Sequence, residues 1–146
     1  MKAPPRIQAL KSLEPELPLS PQPINTRWRT WIKSVKYYAM NFGKILRVFD
    51  ALDGEEATAI KISKDFLHDS TIVADIPFIA SNYGFLEESI DKLESYGQPL
   101  HANIKIVTDI MNIITSVNDA AANPIKEKHS TVIDKNDGFK TLQNIS

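Results

Sequence analysis

Apolar residues at positions 28, 31, 32, 35, 38, 39, 42, 45, 46, 49 and 52 constrain this chain more than any other feature. A spacing of three and four marks one face of a helix, and here it persists for about seven turns. Asn25 or Thr26 is placed to cap the start of this helix. Asp53-Gly54 is placed to stop it, and Asp53 with Glu56 reads as a capping box for the next helix. The cations Arg29, Lys33, Lys36, Lys44 and Arg47 fall on its other faces.

The chain before this helix has a different character. Six of the nine prolines lie within residues 1–25. Proline fixes φ, removes a donor and pushes the preceding residue out of the helical region. Residues 1–25 are therefore expected to form a proline-rich extended arm, with a short helical turn over 7–13 and polyproline-like chain over 17–24. Pro18 and Pro21 match the minimal spacing of an SH3 ligand, a pattern common by chance.

After the first helix, punctuation and periodicity predict a second over 55–67, with Ala57, Ile60, Phe66 and Leu67 facing inward. Asp69-Ser70 caps a third segment over 71–82, where Pro77 either kinks the helix or begins a new one. Gly84 fits a helix-ending glycine. A fourth helix over 86–96 is closed by Gly97. A fifth over 100–117 carries the stripe Ile104, Val107, Ile110, Met111, Ile114 and Val117. Asn123-Pro124 opens a sixth over 125–135, and Phe139 to Leu142 forms a last short turn. Five glycines and no alternating run of β-branched residues favour an all-α class. The expected architecture is a single helical domain over 26–146, with six or seven helices behind the arm.

Apolar content of 42% and charged content of 24% are ordinary for a soluble globular chain. There is no cysteine, which excludes disulfides, thiolate zinc sites and a cysteine nucleophile. No apolar run approaches the ~18 residues of a membrane span, and the first residues carry no apolar signal region. An intracellular protein with no membrane partner is the expectation.

Net charge is −1, but it is unevenly spread. Residues 1–49 hold nine Lys/Arg against Glu14 and Glu16, a net of +7; residues 50–146 hold eight against sixteen acids, a net of −8. Two readings stand. The basic half meets an anionic partner, or it packs against the acidic half and the charges satisfy each other.

Little in the chain carries catalysis. His68, His101 and His129 are not paired at helical spacing. Glu87, Glu88, Asp91 and Glu94 share helix faces but lack the Glu-x-x-His partner of a carboxylate metal site, and acids in a first turn also favour the helix dipole. No phosphate loop, nucleophile elbow or HExxH motif is present. The expectation is no enzyme, no metal, no cofactor and no evident small-molecule substrate.

Thr26-Arg27-Trp28-Arg29-Thr30-Trp31 is the stretch that chemistry singles out, because it holds both tryptophans. On a helix Trp28 and Trp31 share a face. An exposed indole beside guanidinium groups suits unpaired nucleic acid, the ring stacking on a base and arginine holding phosphate. The alternative is that the indoles fix the first turn to the core. Trp31, continuous with Val35 and Tyr38, is expected to do so, and Trp28 is the residue whose exposure decides.

The residues from Pro21 to Trp31 resemble the proline-led Thr-Arg-Trp segment of hAT-superfamily transposases and their domesticated relatives. Tyr37-Tyr38-Ala-x-x-Phe42, Ser81-Asn-Tyr-Gly-Phe85, the turn from Lys92 to Leu100 and the closing Lys135 to Leu142 extend the likeness over residues 17–146. The resemblance implies a helical domain of the kind inserted into a ribonuclease-H-like catalytic fold. It also implies that the tryptophan stabilises a base flipped out near a hairpin end. Thr26, Arg27 and Trp28 match the triplet; Arg29 departs from the family's small or polar residue. No acid here matches a catalytic one. The resemblance therefore implies a non-catalytic DNA-binding domain in the nucleus, with Thr26, Arg27 and Trp28 as nucleic-acid-binding residues; the basic face of the first helix adds Arg29, Lys33 and Lys36 as phosphate contacts. The alternatives are a protein–protein interaction module and a transposon relic without function.

Overall fold

The computed structural model describes residues 5–24, 27–53 and 57–145. Among these residues there are eight α-helices, one 3-10 turn and no strand, so the chain is all-α. It divides into two compact units, Met1–Gly84 and Phe85–Ser146.

The first unit is built on the long amphipathic helix. Helices α1 (Pro5–Leu13), α3 (Thr58–His68) and α4 (Ser70–Tyr83) all pack on α2 (Trp28–Ala51), and α3 also packs on α4. The core joins Leu17, Ile45 and Leu67, with Leu10, Tyr38 and Phe42 packed against them. Ile45 and Val48, on the predicted face of α2 or next to it, are 4% and 3% exposed. The arm is extended beyond α1, as its prolines require, but it is not a free leader. Leu17 is 5% exposed, and Glu14 forms an ion pair with Arg47 of α2.

Several boundaries differ from expectation for local reasons. The predicted caps Asn25 and Thr26 lie outside the described residues, as does Glu56 of the capping box. Arg27 occupies the N-cap position of α2 and makes no side-chain capping bond. At the other end the Lys64 Nζ donates to the carbonyls of Asp50 at 3.2 Å and Leu52 at 2.6 Å, satisfying acceptors that the helix leaves open. His68 meets Asp50 at 2.9 Å, linking α3 to the end of α2. Phe66, expected inside, is 56% exposed, because the buried line of α3 runs through Ile60 and Leu67 instead.

Asp69 caps α4 as predicted, accepting from the Thr71 N–H at 2.8 Å. Pro77 sits within a continuous α4 and starts no new helix. Gly84 ends α4 with φ −60°, so it is not there for a left-handed turn. A Cβ at Gly84 would lie 2.3 Å from the Ala80 carbonyl oxygen, and that close approach is what requires glycine.

The second unit contains α5 (Leu86–Leu93), α6 (Leu100–Ser116), a 3-10 turn (Ala120–Ala122), α7 (Asn123–Asp134) and α8 (Asp137–Ile145). Helix α5 packs on α6, and α6 on α7. Gly97 closes the α5–α6 connection at φ +81°, the left-handed region that costs glycine little. The capping role expected of Asn123 belongs to Asp119, which accepts from the Ala121 N–H at 2.8 Å and starts the 3-10 turn before α7. The final turn extends to a nine-residue helix, begun by Asn136 accepting from the Phe139 N–H at 3.0 Å. Among the described residues, no helix is long and apolar enough to cross a membrane.

Candidate functional site

The start of α2 is positioned by the arm. Three polar contacts occur in antiparallel order along one side of the helix. The Tyr37 hydroxyl donates to the Pro18 carbonyl at 2.5 Å. The Ser34 hydroxyl lies 3.0 Å from the Pro21 carbonyl and 2.9 Å from that of Thr30, and its single proton serves one of them at a time. The Ile24 N–H donates to the Thr30 hydroxyl at 2.8 Å, and that hydroxyl donates to the Arg27 carbonyl at 2.7 Å. Prolines cannot donate, but their carbonyls accept, so the two proline contacts use donors on the helix, while Ile24 supplies an N–H from the arm. Burial raises the Tyr37 phenol above its usual value, and the neighbouring Tyr38 adds to the rise. The phenol therefore keeps its proton and donates throughout the neutral range.

Beyond the last of these contacts the helix projects from the core. The buried side chains of α2 begin at Ser34. Trp28 is 79% exposed in the first turn. Trp31 was expected in the core, yet it is 47% exposed. Its helical angle falls near the buried stripe, at ~100° per residue, but the buried part of the stripe starts one turn later. Periodicity gave the right face and missed where the packing ends.

Arg27 and Arg29 are exposed on either side of Trp28, and Lys33 is exposed one turn on. Arg29, Lys33 and Lys36 follow one another around the same side of α2, about 100° from Trp28. Lys36 is set apart from the tryptophans. It is half-buried and lines a groove between α2 and α4 with Ala39, Met40 and Pro77. Thr26 lies outside the described residues. The structure thus brings together Arg27, Trp28, Arg29 and Trp31, extends this patch to Lys33, and places Lys36 on the α4 side.

The residues that sequence reasoning missed are those of the arm contacts, above all Ser34 and Tyr37. A serine on the apolar side of a long helix was the available signal, since a buried hydroxyl needs a partner. Among the described residues no group of three or more His, Asp or Glu comes together in a way that could hold a metal ion. The arrangement offers an apolar ring beside guanidinium groups, which is a surface for binding. No family model, curated protein or solved structure matches this chain.

Proposed function

We propose that this protein is a non-catalytic binding module for unpaired DNA, with Trp28 stacking on a base and Arg27, Arg29 and Lys33 meeting phosphate. The observation that carries this reading is the 79% exposure of Trp28 on a helix start held in place by the arm. A large indole left in water is an unusual use of the most apolar area a side chain offers. Next to arginines it forms the pairing of stacking platform and cation that single-stranded nucleic acid uses. The resemblance to hAT-like transposases supports Arg27 and Trp28 among these residues, with a hairpin end or flipped base as the ligand.

The two tryptophans are the only ones in the chain, so their emission reports on the site directly. Titration with single-stranded oligothymidylate at low salt is expected to quench it saturably. Trp28→Ala should weaken binding about five- to hundredfold, the loss of one stacked base, with the helical circular dichroism unchanged. Lys36→Ala should change affinity least among the basic variants, because its side chain lies on the α4 side. Absence of binding by the intact protein at low salt would overturn the reading, and is what a relic without function would give.

A second reading rests on Met40, which is 82% exposed beside the groove between α2 and α4. It makes the protein an interaction module for another chain. A mass that rises with concentration in light scattering, indifferent to added DNA, would favour it.

A further inference from the structure

Between α1, the arm and α2 the first unit holds a cavity of about 450 Å³. The cavity opens to solvent beside Arg6 and Leu19, and its volume falls within the roughly 300 to 1,000 Å³ of ligand pockets. Val48, 3% exposed, lies at its floor, and Leu10, Leu19, Pro21 and Phe49 form its walls. Its one charged lining residue is Arg6, which is exposed and makes no ion pair among the described residues. An apolar chamber with a single guanidinium at its edge selects a molecule with a long apolar body and one anionic end. A methylene takes roughly the volume of a water molecule, about 30 Å³, so the chamber accommodates an alkyl chain of about ten to twelve carbons.

We propose that this cavity binds a single-chain carboxylic acid, with the alkyl tail against Val48 and Phe49 and the carboxylate on the Arg6 guanidinium. The site is separate from the tryptophan patch. The occupant meets the arm at Leu19 and Pro21, the same segment that Ser34 and Tyr37 hold to α2.

Isothermal titration of the full chain with sodium dodecanoate, below its micelle concentration, tests this. One molecule is expected to bind saturably, and dodecanol about tenfold or more weaker, for want of the charge-assisted bond. Arg6→Gln should bring dodecanoate down to the level of dodecanol. Leu19→Asp, at a position already 56% exposed, should also weaken dodecanoate about tenfold or more, by placing a like charge in the wall. Circular dichroism checks that both variants fold. Trp28→Ala should leave the binding unchanged, so failure of the DNA reading does not touch this one. Absence of saturable binding, equal affinity for the alcohol and the acid, or an Arg6→Gln variant that binds dodecanoate as the parent does would each overturn the proposal.

Discussion

The two units use the same kind of helix to different effect. In the first, α2 is covered along most of its length by three helices and the arm, and Leu17, Ser34, Ile45, Val48, Ile60, Leu67 and Tyr83 are buried. In the second, α6 carries a stripe just as regular, yet only Ile114 and Ala122 are buried among its described residues. Leu100, Ile113, Ile125, Val132 and Ile145 all stand 36% or more exposed there. Periodicity is a property of one helix, whereas burial is a property of what lies against it. The first unit has an extra covering element that the second lacks, and that element is the proline-rich segment, which the sequence places outside the helical domain as an extended arm.

The sharpest way to break this comparison is to remove equivalent side chains from both. Ile45→Ala takes atoms from the centre of the first unit and should cost about 2–5 kcal/mol. Leu100→Ala, at a 44% exposed position in line with the stripe of α6, should cost less than about 1 kcal/mol. Urea denaturation of both variants measures the difference. Equal costs would mean that the apolar side of the second unit is covered in solution, and the contrast between the units would fail.

Glycine gives a finer version of the same test. Gly84 is needed because the Ala80 carbonyl sits where a Cβ would go. Gly97 is needed for its φ of +81°, while space around it is open. Alanine at Gly97 should cost about 1–2 kcal/mol, the penalty of a left-handed residue with a Cβ, and asparagine there should recover part of it. Alanine at Gly84 should be destabilising too, but asparagine should be no better, since crowding grows with size. A rescue of Gly84 by asparagine, seen as a recovered melting temperature, would contradict the structural reason given for that glycine.

Most of the helical architecture was legible, because breakers and apolar spacing are local. Asp69 capping α4, Gly97 closing the connection after α5 and the inward place of Ile45 all follow from residues within a turn or two. The arm was half legible. Its prolines announce an extended chain, but docking depends on Tyr37 and Ser34, 19 and 13 residues away from their acceptors. At the candidate site the residue types were legible and their exposure was not. Trp31 lies outside the core because the covering elements stop short of it, and no spacing rule encodes where a neighbour ends. The position of Lys36 depends likewise on α4.

The smallest effect expected concerns the arm itself, and it separates docking by hydrogen bonds from docking by apolar contact alone. The Tyr37 phenol is raised above its ordinary value of about 10. The folded chain therefore keeps this proton at a pH where the unfolded chain has begun to release it. The stability linked to Tyr37 is fully present below about pH 10 and is lost as the pH rises through the folded value. Tyr37→Phe should remove that part of the alkaline decline. At neutral pH it should cost only about 0.5–1.5 kcal/mol, the net worth of one hydrogen bond. Leu17 keeps its place in the core in that variant, so amide exchange around residues 17–24 should quicken without the arm's apolar anchor being lost. A variant with an unchanged alkaline decline would mean that the phenol does not feel the arm, and that Leu17, Ser34 and Thr30 hold the segment to α2 without it.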